Sequence, residues 1–159
     1  MNDSLEKKLI SLKIDRHLSK NTSLANYKPF VLSHNFIFIS GQLPLTDEGI
    51  RYTGKIKKNT SLNLIRSAVE LTTSNLLWNL SDSVKEQTDV LKKIKCSSLK
   101  GYLNCEEGFS DHPKILNFSS DLVVKVLGED GCHSRVAIGV SSLPLNSLVE
   151  IEAIFSIYY

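Results

Sequence analysis

CHSRVAIGVSSLPLNSLVEIEAIF, residues 132–155, contains two strand-like runs, and its second run decides the fold. Side chains on a strand point alternately to its two faces. Glu150 and Glu152 therefore share one face of the second run. The other face is apolar and must cover helices; it consists of Val149, Ile151, Ala153, Phe155 and Ile157. The run predicts a sheet with helices on one face and a polar opposite face.

The first run of this segment places an arginine beside two small residues. The alternation predicts that its three β-branched residues, at positions 136, 138 and 140, lie under the helices. Arg135, Ala137 and Gly139 then lie on the face that carries the glutamates. If the two strands are neighbours, a cross-strand ion pair on a solvated face is the simplest interpretation. Alternatively, the space beside Arg135 suits its guanidinium for binding a carboxylate bidentately.

The rest of the chain alternates strand and helix signals. Ser40 and Gly41 end an apolar strand-like run and are expected to offer backbone groups for close approach to a ligand. We predict a hairpin in residues 27–45, a helix from Thr60 or Ser61 to about residues 81–88, a strand in residues 89–104, a helix from Ser110 or Asp111 to Gly128, and the two final strands. This order predicts an α+β fold with two helices packed on one face of a single sheet.

The N-terminal residues carry a short amphipathic helix signal and then a polar connector. We divide the chain into an N-terminal extension, residues 1–25, and a domain over residues 26–159. The first residues include acidic groups and no apolar stretch of signal-peptide length, and no later stretch has the length of a membrane span. We therefore expect a cytoplasmic protein with no membrane partner.

Charge and cysteine content exclude several classes of function. The 159 residues carry a formal net charge of only +2, which argues against nucleic acid as a general partner. The three cysteines match neither a disulfide framework nor a zinc pattern, so we expect reduced thiols and no metal site.

Four stretches, in this order, carry a family resemblance: FIFISGQLP, GYLN, ILNFSSDLV and SRVAIGVSSLPLNSLVEIEAI. They resemble the RidA/YjgF family, and more closely its longer-chain bacterial branch, once described as L-PSP endoribonuclease-like. The resemblance covers roughly residues 26–157. It implies a chorismate-mutase-like fold that forms a homotrimer, with polar sheet faces turned inward, a ligand cleft at each subunit boundary and no cofactor.

The resemblance also implies an activity, the hydrolysis of reactive enamines and imines such as 2-aminoacrylate to 2-keto acids and ammonia. Arg135 falls on the arginine that binds the substrate carboxylate, and Glu150 on the glutamate associated with the hydrolytic water. Gly41 falls on a glycine whose backbone lines the cleft. These assignments predict a small carboxylate-bearing imine or enamine as the substrate.

Three cleft positions depart from the pattern of the shorter members. Phe30 stands where they often have a tyrosine, Ala137 where many have a cysteine, and Pro113 near an asparagine. A phenol, a thiol and an amide are thus missing. The alternatives are a non-catalytic member that binds small carboxylates and, more weakly supported, an endoribonuclease. Glu152 is expected in a structural ion pair or hydrogen bond, and His133 at the cleft mouth or in solvent.

Overall fold

The computed structural model describes residues 4–19, 26–85 and 93–158. Its helices and strands follow the predicted order. They are α1 (Leu5–Ser11), β1 (Phe30–Ser33), β2 (Phe36–Gln42), β3 (Leu45–Thr46), β4 (Gly49–Ile50), α2 (Leu62–Lys85), β5 (Lys93–Asn104), α3 (His112–Leu127), β6 (Ser134–Val140) and β7 (Val149–Tyr158). The predicted strand at residues 89–104 is confirmed from Lys93 onward, and its first residues lie outside the described ones.

The main sheet has five strands in the order β1-β2-β7-β5-β6. Strands β5 and β6 pair in parallel, and the other neighbours are antiparallel, so the sheet is mixed. Strands β3 and β4 form a separate two-stranded sheet, so the expectation of a single sheet was incomplete. The α+β class is confirmed. The two final strands are not neighbours, because β5 lies between them.

Helices α2 and α3 cover one face of the main sheet. Every second residue of β7 is buried against them, from Val149 to Ile157, as the alternation predicts. Helix α3 has Asp111 as its N-cap residue and Pro113 in its first turn, and it ends at Gly128, whose φ of 66° suits glycine. These local signals explain why the boundaries of α3 could be predicted closely.

Helix α2 is buried on more than its apolar side. Asn75 donates to the carbonyl oxygens of Leu43 and Leu45 at 3.1 and 2.9 Å, and the Thr73 hydroxyl donates to the Ser119 hydroxyl of α3 at 2.8 Å. Buried polar groups are tolerated when they are hydrogen-bonded in this way. These bonds tie α2 to the loop after β2 and to α3, and so fix the helical layer.

The predicted faces of β6 were wrong. In the parallel register Leu99 and Leu103 of β5 lie beside Arg135 and Gly139 of β6, and both leucines are buried under the helices. Arg135, Ala137 and Gly139 therefore lie on the helix side. The side chains of residues 136 and 138 lie on the open face, where they are 48% and 43% exposed. Alternation shows which residues share a face, but at an edge strand it does not show which face that is.

The N-terminal residues are packed against the helical layer. Leu9 and Ile14 are buried in the core, and Trp78 of α2 donates its indole N–H to the Ile14 carbonyl oxygen at 3.1 Å. The division at residue 25 stays a prediction, although α1 contacts the core directly. Among the residues that the structure describes, no helix is both long and apolar enough to cross a membrane.

Candidate functional site

Arg135 lies on the edge strand β6, beside helix α3. Its Nη1 donates to Asn117 Oδ1 at 2.8 Å and to the Ser120 hydroxyl at 3.2 Å. Its Nε and Nη2 form no hydrogen bond with any described residue, and the side chain is exposed. A guanidinium that is anchored through one nitrogen still presents a planar pair of donors. This arrangement can bind a carboxylate from solvent or from a cleft.

His133 lies close to the same anchor. Its Nε2 is 3.0 Å from the Ser120 hydroxyl, and its Nδ1 is 2.5 Å from the carbonyl oxygen of Gly131. Ser120 thus contacts both His133 and Arg135. His133 is half-buried and hydrogen-bonded rather than simply solvated. It helps to hold the anchor of the arginine in place.

Glu150 lies on the open face of the sheet, against the backbone of Gly41. A Cβ atom at Gly41 would overlap Glu150 Oε1 and would lie 2.9 Å from its Cδ, so only glycine leaves room for this carboxylate. Burial raises the pKa of Glu150, and the neighbouring Glu152 raises it further. Ser40, the residue before Gly41, donates its hydroxyl to the Lys28 carbonyl oxygen at 2.7 Å. The structure therefore brings Gly41 and Glu150 together, while the Ser40 side chain is bonded to Lys28.

Glu152 has a different environment on the same face. It accepts from Lys100 Nζ at 2.9 Å and from the Tyr102 hydroxyl at 3.2 Å. Burial is the main cause that raises the pKa of Tyr102, and Glu152 adds to it. These contacts agree with the structural ion pair and hydrogen bond expected for Glu152. Glu150, by contrast, forms no hydrogen bond with the side chain of any described residue.

The predicted site residues separate into two groups within one chain. Arg135 and Ala137 lie on the helix side of the sheet, and Glu150 and Gly41 lie on the open face. Phe30 pairs with the buried Ile39 and packs, half-buried, against the core on the helix side, so it is not next to Glu150. Pro113 is exposed in the first turn of α3. A single chain does not bring Arg135 and Glu150 to one point.

Sequence reasoning missed a thiol–imidazole pair at the end of β5. Cys105 Sγ is 3.5 Å from His112 Nε2, and both side chains line an open cavity of about 700 Å³. A Cβ at Gly139 would overlap His112 Nε2 and lie 2.6 Å from Cys105 Sγ. Burial raises the pKa of the Cys105 thiol. The sequence signal was the glycine inside a strand, which often marks a close approach.

Lys55 closes the other side of this cavity. Its ammonium group donates to Asn104 Oδ1 at 2.8 Å and to the carbonyl oxygen of Ser141. The lysine thus ties the ends of β5 and β6 together. Within the ranges that the structure describes, no group of three or more His, Cys, Asp or Glu side chains could hold a metal ion.

Residues 7–156 match the model of the family described as "YjgF/chorismate mutase-like, putative endoribonuclease". The chain belongs to the YjgF family. Among solved structures similar to this chain, Atu1372 of Agrobacterium tumefaciens, a protein of unknown function, is 33% identical, with 98% of this chain and 95% of that one covered and a TM-score of 0.79. A structure from Shewanella oneidensis, named as "a putative endoribonuclease", is 27% identical over 97% and 99% of the two chains, with a TM-score of 0.83.

Two further relatives extend the comparison. Protein TCP17 of Trypanosoma cruzi is 28% identical over 130 residues, which are 81% of this chain and 79% of that protein. The Escherichia coli YjgF protein is 15% identical over 89% and 98% of the two chains, with a TM-score of 0.58, and so shares the fold. The family resemblance found in the sequence is confirmed.

Proposed function

We propose that the protein hydrolyses small, reactive imines and enamines of the 2-aminoacrylate type to 2-keto acids and ammonia. The observation that carries the proposal is the half-buried Glu150, whose pKa is raised and whose carboxylate lies against the backbone of Gly41. A carboxyl group with a raised pKa holds its proton to a higher pH than an ordinary glutamate does and is a stronger base once it is ionised. It is thus suited to both acid and base steps.

The chemistry requires little beyond proton transfer and orientation. An enamine takes a proton on its β-carbon to become an iminium ion, and water then adds to the iminium carbon and loses a proton. The resulting carbinolamine loses ammonia after its nitrogen is protonated, and its hydroxyl group gives up its proton as the keto group forms. Glu150 can donate the protons in its neutral form and orient water in its ionised form. Arg135 orients the substrate through the carboxylate.

The separation of Arg135 from Glu150 leads us to place the site between subunits. In a cyclic oligomer the edge of one subunit can meet the open face of the next. Large apolar side chains on the open face, which are 43% to 48% exposed, support burial of that face against another copy; they are Val31, Phe36, Phe38, Val136 and Ile138. We therefore propose a homotrimer in which Arg135 of one subunit and Glu150 of its neighbour form each site.

The experiment is an assay of ammonia and 2-keto acid release from freshly generated 2-aminoacrylate. Wild type should accelerate hydrolysis over buffer. Arg135→Ala and Glu150→Gln should each lose at least about 100-fold, in line with the loss of a positioned catalytic group. Arg135→Lys should recover part of the activity, because it keeps the charge without the planar pair of donors. Glu129→Gln removes a carboxylate that does not affect Glu150, so it is the matched control and should stay within a few fold of wild type.

Other outcomes of this assay would favour the alternatives. If a panel of imino acids is hydrolysed no faster than in buffer, yet small carboxylates bind with an affinity that depends on Arg135, the protein is a non-catalytic binder. The family description and the Shewanella relative's name also make RNA a necessary substrate to test. RNA cleavage that survives repurification and is abolished by Glu150→Gln would replace the imine proposal.

A further inference from the structure

A second cavity lies on the helical side of the protein, and neither Arg135 nor Glu150 lines it. Its volume is about 360 Å³. We call it the N-terminal cavity, because residues 12–15 and 17 form one of its walls. The other walls come from Arg51 and Tyr52 after β4, from Ser67, Glu70, Leu71 and Ser74 of α2, and from Leu122 and Lys125 of α3.

The N-terminal wall is held firmly against α2. The Ser74 hydroxyl donates to the Asp15 carbonyl oxygen at 2.5 Å, and Trp78 donates to that of Ile14. Arg16 forms a two-pronged ion pair with Asp82 at 3.0 and 2.6 Å. These bonds hold residues 14–16 against α2. The N-terminal cavity is therefore preformed, as most small-molecule sites are.

Lys13 occupies an unusual backbone position at this wall. Its φ of 57° lies in the left-handed region, at the position that follows Leu12, the C-cap residue of α1. The bonds from Lys13 N to the Ile10 carbonyl oxygen and from Ile14 N to that of Leu9 are those of a helix end at which glycine is preferred. The fold alone does not require a lysine here. Lys13 is one of the residues that line the N-terminal cavity.

The charged groups of this cavity are of both signs and are not paired with one another. Lys13, Arg51 and Lys125 supply positive charges, and Asp15 and Glu70 supply negative charges. Within the part of the chain that the structure describes, none of these five side chains takes part in an ion pair. Separated charges of both signs around one cavity complement a ligand that carries both.

The remaining lining residues add an apolar surface. Leu71 is buried, and Leu12 and Leu122 are half-buried. Burial also lowers the pKa of His17, against the opposing effect of Asp15, which favours a neutral imidazole at pH 7. The volume lies at the low end of the range for small-ligand sites. A ligand of metabolite size with a carboxylate, an ammonium group and an aliphatic part would match all three kinds of surface.

We propose that the N-terminal cavity binds a free α-amino acid with an aliphatic side chain. Its carboxylate contacts the cationic side chains, its ammonium group contacts Glu70 or Asp15, and its side chain packs on the leucines. This binding is independent of imine hydrolysis at the Arg135 edge, and either can hold without the other.

Calorimetric titration of the full chain with L-leucine tests the proposal. We expect saturable binding with a Kd of about 1 mM or tighter. L-leucinamide, which lacks the carboxylate, and 4-methylpentanoate, which lacks the ammonium group, should each bind at least about 10-fold more weakly, since each loses a charge-assisted interaction. Backbone NMR shifts should change in residues 12–17 and in α2.

Two variants separate binding from folding. Lys13→Gly suits the left-handed backbone, so it should keep or raise the melting temperature while it weakens leucine binding at least about 10-fold. Glu70→Gln should weaken binding similarly. Lys114→Gln and Glu129→Gln change the same charges outside the cavity and should bind leucine as wild type does.

Three results would overturn the proposal. They are the absence of leucine binding up to about 10 mM, equal binding of all three ligands, and shift changes confined to the residues around Arg135 and His112. Wild-type leucine affinity in a folded Lys13→Gly or Glu70→Gln protein would likewise contradict it.

Discussion

Replacing Gly41 with alanine adds one methyl group at the point where the backbone meets Glu150. The new Cβ would overlap Oε1 and lie 2.9 Å from Cδ and 3.1 Å from Cγ of Glu150, and no other group is as close. The φ of Gly41 is not in the left-handed region, so alanine is conformationally allowed. Because the overlapping atoms end a flexible side chain, we expect Glu150 to move rather than the strand.

We expect Gly41→Ala to lower the activity and to leave the folding stability nearly unchanged. Displacing a catalytic group by about 1 Å lowers the rate by about 100-fold, so kcat/KM for imine hydrolysis should fall by this factor. The free energy of unfolding should change by less than about 1 kcal/mol, because the side chain can turn away and alanine restricts the unfolded chain more than glycine does.

A double-mutant cycle shows whether Glu150 carries the effect. If Gly41→Ala acts only by moving Glu150, the Gly41→Ala/Glu150→Ala protein should be no slower than Glu150→Ala alone. The assay is steady-state release of ammonia, with denaturant unfolding of each variant as the control for folding. Full activity of Gly41→Ala would refute this reasoning. So would a double mutant in which the activation free energies lost by the two single mutants add up.

Three further predictions concern stability and assembly. Burial raises the pKa of Glu150 in the folded protein, so ionising this carboxyl group costs folding stability as the pH rises past its unfolded pKa. In denaturant melts, Glu150→Gln should therefore be more stable than wild type at pH 7, and the difference should vanish below about pH 4. Equal stability of the two proteins at pH 7 would contradict the raised pKa. Phe38→Asp, which changes an apolar side chain of the open face that is 43% exposed, should yield monomers in light scattering, whereas an unchanged oligomer would show that this face is not an interface. Trp78→Phe leaves the Ile14 carbonyl oxygen without its indole donor and should lower the free energy of unfolding by about 1 to 3 kcal/mol in chemical denaturation. If the measured loss is within error, other contacts anchor residues 12–17.

Features set by local sequence could be predicted well. The alternation of apolar and polar residues in β7 is a pattern within that strand alone. The structure agrees with it, because the apolar residues form one buried face. The ends of α3 follow from Asp111, Pro113 and Gly128, which act within a turn of the helix. The family motifs could be recognised for the same reason, since SGQLP and the stretch from Arg135 to Ile154 are each continuous in sequence.

Features set by packing between elements could not be predicted. The face of β6 depends on its parallel register with β5 and on α3, which approaches Gly139 closely. The Cys105–His112 contact joins a strand end to a helix start across an irregular loop, where no periodicity applies. The contact of Gly41 with Glu150 depends on the irregular register between β2 and β7, where three steps on β2 match two on β7.

The measurement that tests the central claim most directly is subunit complementation. Arg135→Ala and Glu150→Gln chains, differently tagged and co-expressed, form mixed oligomers that can be purified by both tags. If each site takes Arg135 from one subunit and Glu150 from the next, every trimer that contains both variants has one intact boundary among its three. The account predicts that mixed oligomers recover about a third of wild-type ammonia release, while either variant alone has almost none. Mixed oligomers as inactive as their parents, with correct assembly, would contradict a site shared between Arg135 and Glu150.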